Sequence, residues 1–183
     1  MFNRSKRLQL RLHPDPILAQ ISAEVAPAEI PGLSSLIASM GQTMYDNEGC
    51  GLAAIQVGVP RRLIVYDISE EQDDLQALIN PRIVDLSADC ETSDEGCLSF
   101  PGLYKPVERS FGMRIEALDA SGKSHSIEVE GFLARVLQHE IDHLEGVTML
   151  DHLDPTQRQQ ALREYFGLQP ALPTTGAHAG AEL

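Results

Sequence analysis

Apolar residues recur at helical spacing in three segments of the chain. The first segment, residues 33–45, follows the i, i+3, i+4, i+7 spacing of one helix face, which predicts a helix. Its apolar residues are Leu33, Leu36, Ile37, Met40 and Met44. Residues 131–144 carry an apolar face of the same kind, which predicts a second helix. Residues 155–166 are predicted to form a C-terminal helix, with Asp154 as its N-cap.

Shorter apolar runs in the middle of the chain are typical of β-strands. Residues 62–68 are apolar and β-branched, which predicts a strand. Residues 75–79 predict a second short strand, which closes at Asn80-Pro81, and residues 83–84 begin another.

A hairpin and a short N-terminal helix complete the predicted elements. Residues 112–118 and 124–129 flank a polar turn that contains Gly122, which predicts a β-hairpin. Near the N-terminus, a proline-containing turn over residues 13–16 leads into a short helical segment over residues 17–25.

These elements predict an α+β fold in one domain. Strands precede the helix over residues 131–144, so we expect short antiparallel β-sheets packed around this central helix, with N-terminal and C-terminal helices beside them. A chain of 183 residues can bury one hydrophobic core. We expect the domain to span residues 1–168. Residues 169–183 are rich in Pro, Gly, Ala and Thr and are predicted to be a disordered tail.

Charge and composition exclude several classes of function. The net charge is −13, with 27 acidic residues against 14 basic ones, so the surface repels phosphate backbones and anionic lipids. No stretch approaches the roughly 20 apolar residues of a membrane span. The first residues lack the continuous apolar stretch of a secretory signal. We therefore expect no direct nucleic-acid binding and no membrane association.

The chain contains three cysteines, Cys50, Cys90 and Cys97. An odd number forms no complete disulfide framework. Free thiols are typical of reducing compartments. The cysteine content therefore favours a cytoplasmic location.

Residues 138–146 contain the pattern His139-Glu140-x-x-His143. Positions i and i+4 of a helix share one face, so the two imidazoles can bind one metal ion. The Glu140 carboxylate between them can act as general base toward water that the metal activates. Because the pattern is short, two surface histidines on a polar helix face are the alternative explanation.

A catalytic site of this type needs a third protein ligand and one open position. The metzincin pattern would require a histidine where this chain has Met149, which excludes that class. Glu164 lies 21 residues beyond His143 and could serve as the third ligand of a thermolysin-like site. Cys97 offers a thiolate, a strong ligand for Fe²⁺ or Zn²⁺. Taken alone, however, Cys97 is better explained as a small buried hydrophobic residue.

Three motifs follow one another along the chain: Gly49-x-Gly51-Leu-Ala-Ala-x-Gln56, Glu95-Gly-Cys97-Leu-Ser99 and Gln138-His139-Glu140-x-x-His143. In the first motif, the glycines allow close approach of the backbone and the glutamine adds an amide donor. Together, the three motifs resemble the signature motifs of the peptide deformylases in order and spacing. The resemblance runs from about residue 10 to about residue 166.

The resemblance implies a metal-dependent hydrolase that removes the formyl group from the N-terminal formylmethionine of new polypeptides and releases formate. It implies one divalent metal ion, most often Fe²⁺, with Ni²⁺, Co²⁺ or Zn²⁺ accepted in the same site. Carried over by motif position, the implied metal ligands are Cys97, His139 and His143. Its implied partners are N-formylmethionyl nascent peptides and, through them, the ribosome.

The same resemblance implies roles for five further residues. Glu140 would be the general acid and base. The Gln56 side chain and the Leu98 backbone N–H would donate hydrogen bonds to the oxyanion. Gly49 and Gly51 would bring their backbone to the substrate peptide.

Two regions around the site carry further predictions. Leu133 and Val136 are candidates for lining a slot for the methionine side chain, although both are equally compatible with the core of an amphipathic helix. After residue 150, only Arg158 and Arg163 carry fixed positive charge. We therefore expect the encounter with the ribosome to be transient.

Two other functions stay open on the sequence. A zincin-like metallopeptidase would use Glu164 as third ligand, but it leaves Cys97 and Gln56 unexplained. A non-catalytic metal-binding or peptide-binding module would keep the fold without the reaction. Glu140 argues against such a module, because a structural metal site closes its fourth position and needs no base.

Overall fold

A five-stranded antiparallel sheet forms the centre of the fold. The computed structural model describes residues 7–168. Its strands, in chain order, are Gly51–Ala53 (β1), Leu63–Tyr66 (β2), Gln76–Leu86 (β3), Cys90–Gly96 (β4), Tyr104–Ser110 (β5), Gly112–Leu118 (β6) and Ser124–Glu130 (β7). Its α-helices are Ser34–Asp46 (α1), Gly131–Leu144 (α2) and Pro155–Leu168 (α3). The central sheet has the order β1-β2-β3-β6-β7, and β4 pairs with β5 in a separate two-stranded sheet.

Helices cover both faces of the central sheet, which explains why β2 is apolar at consecutive positions. Leu63 and Val65 point to one face and pack in one cluster with Met40 of α1. Ile64, between them, points to the other face and packs in a second cluster with Leu137 of α2. Alternate residues of a strand point to opposite faces, so a strand between two helices needs apolar side chains at each position. The apolar face of α2 is thereby held firmly against the sheet.

A third cluster joins α3 to the two-stranded sheet. Phe100, Val107 of β5 and Tyr165 of α3 are buried in it. The Tyr165 hydroxyl donates a hydrogen bond of 3.0 Å to the His13 carbonyl. The His13 ring also stacks on Phe100, with 4.9 Å between the ring centroids. The N-terminal segment is therefore tied to the C-terminal helix.

The three longer predicted helices, the hairpin and the α+β class are confirmed. Helix α2 has the predicted bounds, and α1 and α3 differ from prediction by one or two residues at an end. Asp154 caps α3, since its carboxylate accepts the backbone N–H of Thr156 and of Gln157, both at 2.8 Å. Strands β6 and β7 form the predicted antiparallel hairpin.

The helical segment predicted over residues 17–25 is wrong beyond its first turn. A 3-10 helix covers only Pro16–Ala19. Further along, the backbone N–H of Ser22 donates to the Leu144 carbonyl at the end of α2, at 2.8 Å. Hydrogen bonds to distant segments satisfy this backbone, so local helical spacing does not decide its conformation.

The strand predicted to close at Asn80-Pro81 instead continues as the 11-residue β3. Asn80 has a left-handed φ of 52°, and the pairing of β3 with β6 shifts register next to it. The Asn80 side chain accepts the Val25 N–H at 2.8 Å and donates to the Val25 carbonyl at 2.9 Å. Asparagine tolerates this backbone region better than most residues, so the strand passes through a bulge without ending.

Strands β1, β4 and β5 have no counterpart among the predicted elements. Strand β4 reads Cys-Glu-Thr-Ser-Asp-Glu-Gly, and Glu95 is its one buried residue. Such a strand is held by its ladder of backbone hydrogen bonds with β5 and not by an apolar face. Its sequence therefore lacks the alternation on which strand prediction depends.

Gly146 ends α2 for a backbone reason. It has a φ of 71°, and its N–H donates to the His143 carbonyl at 3.3 Å. A Cβ at this position would lie 2.6 Å from the Ala19 carbonyl oxygen. The glycine that matches the metzincin pattern is therefore explained by the helix end.

The predicted tail over residues 169–183 lies outside the described residues, as do residues 1–6 of the predicted domain. Within residues 7–168, we find no helix that is both long enough and apolar enough to cross a membrane.

Candidate active site

Helix α2 places His139, Glu140 and His143 in the interior of the protein. The two imidazole rings lie on one face, with 5.0 Å between their centroids. All three side chains are buried, and His143 has no exposed surface. The structure thus brings both imidazoles to one buried face of α2, which excludes the alternative of two surface histidines.

Cys97 follows directly after β4 and brings its thiol to the two histidines. Its Sγ lies 3.2 Å from Nε2 of His143. One ligand atom from each of Cys97, His139 and His143 lies within 4.8 Å of the other two. Ligand atoms at about 2.0–2.3 Å from one tetrahedral ion lie roughly 3.3–3.8 Å apart, so the cluster needs only a small adjustment to bind one. A thiolate and two imidazoles suit a divalent transition metal better than Mg²⁺ or Ca²⁺.

The buried Glu95 carboxylate orients one of these histidines. His139 donates its Nδ1–H to Glu95 at 3.0 Å. The assignment follows from the carboxylate, which only accepts hydrogen bonds, and it leaves Nε2 of His139 free to bind a metal ion. Arg109 donates two hydrogen bonds to the same carboxylate, at 2.9 and 3.0 Å, and Arg135 donates one at 2.9 Å.

The neighbours of Glu95 and Cys97 favour the charged form of both groups. Burial alone would raise the pKa of Glu95, but hydrogen bonds from His139 and Arg109 outweigh it and lower the pKa to about 2. Burial likewise opposes ionisation of Cys97, but the nearby His143 and His139 hold its pKa well below the usual value for a thiol. A thiolate is the form of cysteine that binds metal ions.

Glu140 has the opposite environment. Its Oε2 is buried and has no hydrogen-bond partner among the residues that the structure describes. Burial raises the pKa of the Glu140 carboxyl to about 7, although His139 and His143 act in the other direction. A bound cation would lower that pKa. A buried carboxylate with one free oxygen beside a cluster of metal ligands is suited to exchange a proton with water.

Strand β1 and the 3-10 helix after it bring the first motif to the same place. A Cβ on Gly51 would lie 2.5 Å from Oε1 of Glu140, so only glycine leaves this carboxylate in position. The Gln56 carboxamide nitrogen lies 3.5 Å from the Cys97 sulfur. Leu98 follows Cys97 and lines the same cleft as Gly49 and Gly51. All three motifs therefore meet at one site.

An open cleft of about 740 Å³ leads to this site. Residues 49–51 form one wall, residues 94–98 and 100–104 form another, and α2 contributes Phe132, Val136, His139 and Glu140. Exposed apolar side chains lie at its rim, among them Phe132, which is 61% exposed. The cleft is large enough for a short extended peptide.

The two candidates for the methionine slot separate in the structure. Val136 lines the cleft, but Leu133 packs against the core on the sheet side of α2. Leu133 is therefore a core residue, because the α2 face that meets the sheet differs from the face that meets the cleft. Phe132 lines the cleft and was not predicted.

Glu164 is not part of the site. Its carboxylate forms an ion pair with Lys105 and is 41% exposed on α3. Among residues 7–168, the candidate group of metal ligands comprises Cys97 and the two histidines. The arrangement with Glu164 as third ligand is not favoured.

The sequence profile of the polypeptide deformylase family matches residues 8–159. The chain belongs to the polypeptide deformylase family. The peptide deformylase of Rhizobium meliloti (strain 1021) is 43% identical over 168 residues, which cover 91% of this chain and 94% of that protein. Enzymes of this family are metal-dependent hydrolases, which agrees with the cysteine and the two histidines gathered here.

Solved structures of deformylases have the same fold. The crystal structure of a peptide deformylase from Legionella pneumophila superposes with a TM-score of 0.82 at 40% identity, covering 88% of this chain and 95% of that one. A peptide deformylase from Ehrlichia chaffeensis, solved in complex with actinonin, gives a TM-score of 0.81 at 37% identity, with 87% and 95% covered.

Several residues of the site were not assigned a role from the sequence. Glu95 stands inside the second motif, and Arg135 interrupts the apolar face of α2. A buried arginine on a helix requires an acidic partner, so Arg135 was the available signal for Glu95. Arg109 lies on β5, a strand that was not predicted, and nothing local to its sequence links it to the site.

We expect Glu95→Gln to weaken both the fold and the metal site. The neutral amide leaves Arg109 and Arg135 without their charged partner, which should lower the free energy of unfolding by about 3–5 kcal/mol. Loss of the Glu95 acceptor from His139 should lower metal affinity by about 10–100-fold. Urea denaturation and competition with a chelator measure the two effects. Glu91→Gln, at an exposed position of β4, is the matched control and should change neither.

We expect Gly51→Ala to lower deformylase turnover by about 10–100-fold. The new methyl group would push the Glu140 carboxylate out of position, and a displacement of about 1 Å is enough to slow proton transfer on this scale. Measurement of kcat on a formylated methionyl peptide tests this. Gly32→Ala is the control, since within residues 7–168 no atom other than those of its chain neighbours lies within 4 Å of a Cβ at that position. Equal turnover in the two variants would contradict the close approach of Gly51 to Glu140.

Proposed function

We propose that this chain removes the formyl group from the N-terminal formylmethionine of nascent polypeptides by hydrolysis and releases formate. Membership of the polypeptide deformylase family supports the reaction. The observation that carries the proposal is the convergence of Cys97, His139 and His143 beside the unpaired oxygen of Glu140. Three ligands with one position left open, next to a carboxylate, suit a hydrolytic centre and not a structural one.

The two histidines and the cysteine would hold one divalent metal ion, for which Fe²⁺ is our proposal and Ni²⁺, Co²⁺ or Zn²⁺ are chemically acceptable. When bound, such an ion supplies Lewis acidity, which lowers the pKa of water from about 15.7 towards about 7. Because Glu95 accepts the Nδ1–H of His139, Nε2 of His139 stays available for the metal ion. The thiolate of Cys97 makes the centre electron-rich and sensitive to oxidation.

Glu140 moves the protons of the reaction. Its free Oε2 accepts a proton from the water that attacks the formyl carbon. The protonated carboxyl then donates to the nitrogen of methionine as the C–N bond breaks. One water is consumed, and formate and a free amine are released. Because Glu140 lies beside Gly51, its carboxylate stays next to the substrate backbone.

Gln56 and Leu98 stabilise the negative charge that develops on the formyl oxygen. The Gln56 carboxamide and the Leu98 backbone N–H each donate one hydrogen bond to it. Loss of one such donor typically costs about 2.7–4 kcal/mol of transition-state stabilisation. Gly49 and Gly51 bring their backbone to the peptide, and Val136 and Phe132 offer an apolar wall for the methionine side chain.

The partners follow from the substrate. N-formylmethionyl chains emerge from the ribosome, so we infer a transient encounter there, in the cytoplasm. Arg158 pairs with Asp151 at 2.8 Å, and Glu164 pairs with Lys105. Arg163 is the other arginine of α3, so this helix offers little positive charge to ribosomal RNA. The catalytic domain would comprise residues 1–168, with residues 169–183 as its tail.

We expect the protein, prepared anaerobically with Fe²⁺ or Ni²⁺, to release formate from a formyl-Met-Ala-Ser peptide. Glu140→Ala should lower kcat by about 10²–10⁴-fold, because it removes the proposed general acid and base. Glu128→Ala, which removes an exposed carboxylate on β7, is the control and should retain activity. If folded, metal-loaded wild-type protein released no formate, that result would contradict the proposal.

A second measurement separates the deformylase site from the zincin-like alternative. Cys97→Ala should lower metal affinity by more than the roughly 100-fold upper range for groups that only support a ligand. Glu164→Ala should leave affinity unchanged, as should Cys90→Ala, which removes an exposed thiol. Metal content and competition with a chelator provide the data. The opposite pattern, with binding lost only in Glu164→Ala, would favour the alternative.

A further inference from the structure

The Gln56 carboxamide is held by three contacts. Its Oε1 accepts the backbone N–H of Ala53 at 2.8 Å. Its Nε2 lies 3.1 Å from the Ser99 hydroxyl oxygen and 3.5 Å from the Cys97 sulfur. The bond from Ala53 decides which end of the amide is oxygen, because a flipped amide would place two donors face to face.

A carboxamide nitrogen carries two hydrogens, and the Ser99 oxygen and the Cys97 sulfur each lie within reach of one of them. One N–H points to the Ser99 oxygen, which is a good acceptor. The other points toward the Cys97 sulfur, a long contact of 3.5 Å to an atom that would also bind the metal ion. This second N–H can therefore turn to a carbonyl oxygen beside the metal ligands at little cost, whereas the first stays with Ser99.

Ser99 is itself fixed in place. It has no exposed surface, and its backbone carbonyl accepts the His13 N–H at 3.0 Å. Arg11 lies two residues before His13, and its backbone N–H donates to the Gln56 carbonyl at 2.7 Å. One N-terminal segment thus bonds to the backbone of both Gln56 and Ser99 and sets their separation. Tyr165 anchors that segment through the His13 carbonyl.

We propose that Ser99 is a positioning residue for the deformylation reaction, whose hydroxyl holds one N–H of Gln56 so that the other is directed at the formyl oxygen. The proposal rests on the proposed role of Gln56 as an oxyanion donor. Ser99 does not touch the substrate. It removes the rotational freedom of a group that must be in place before charge develops on the oxygen, which is where electrostatic catalysis gains most.

A purely structural serine and a positioning serine lead to different kinetics. If Ser99 only fills space, alanine should leave turnover unchanged apart from a change in stability. If it orients Gln56, alanine frees the first N–H, and the carboxamide can rotate away from the reacting oxygen. Because this interaction strengthens in the transition state, kcat should fall and KM should stay nearly constant.

The test compares Ser99→Ala with Ser22→Ala in the metal-loaded, full-length protein. Ser22 is also buried, but its hydroxyl has no hydrogen-bond partner among residues 7–168, and it lies away from the cleft. We expect Ser99→Ala to lower kcat by about 10–100-fold with KM within about twofold, which is the scale of a small misplacement of a catalytic group. Ser22→Ala should retain the wild-type kcat. Equal kcat in all three proteins would overturn the proposal.

A double-mutant cycle with Gln56→Ala gives the readout that a structural role would not move. Without the carboxamide there is nothing for Ser99 to orient, so adding Ser99→Ala should lower kcat by less than about twofold. A full 10–100-fold loss in this background would also overturn the proposal. If Ser99→Ala does not fold, Ser99→Cys replaces a strong acceptor by a weak one at similar volume and enters the same cycle.

Failure of this inference and failure of the proposed function are distinguishable. Wild-type protein that releases no formate contradicts the deformylase assignment. Active wild-type protein with an equally active Ser99→Ala variant contradicts only the role of Ser99. Metal content measured for each variant excludes loss of the ion as the cause of a lower kcat.

Discussion

Four hydrogen bonds converge on the buried carboxylate of Glu95, and they come from a strand and a helix that are far apart in sequence. Arg109 belongs to β5, while Arg135 and His139 belong to α2. A buried carboxylate without these partners would be strongly unfavourable, so the fold has to bring the three elements together. That convergence ties β4, which ends just before Cys97, to the helix that carries both histidines.

Two buried glutamates of the same site consequently have opposite properties. Glu95 is surrounded by donors, and its pKa is lowered to about 2. Glu140 is equally buried, but one of its oxygens has no hydrogen-bond partner within residues 7–168, and burial raises its pKa to about 7. Environment alone separates a permanently charged anchor from a group that can exchange a proton. The first keeps the metal ligands oriented, which allows the second to remain unpaired.

The placement of the cleft follows from the way α2 is packed. One face of this helix presents apolar residues to the central sheet, and a neighbouring face lines the cleft between the first and second motifs. Val136 and Leu133 show how this divides neighbouring residues of one helix between substrate cleft and core. The same geometry brings the backbone of Gly51 so close to Glu140 that a methyl group would not fit.

From the amino-acid sequence alone, the three long helices, the hairpin, the α+β class and the three motifs could be predicted, because helical spacing and metal-ligand spacing are local properties that a short segment carries. The sequence also pointed to Cys97 over Glu164, but only through the resemblance of the motifs taken together. Only the tertiary structure shows strands β4 and β5, the bulge at Asn80 and the partners of Glu95. Those features depend on contacts between separate segments of the chain, whose pairing is set by burial and by the need to satisfy buried polar groups and charges, and no local pattern records it.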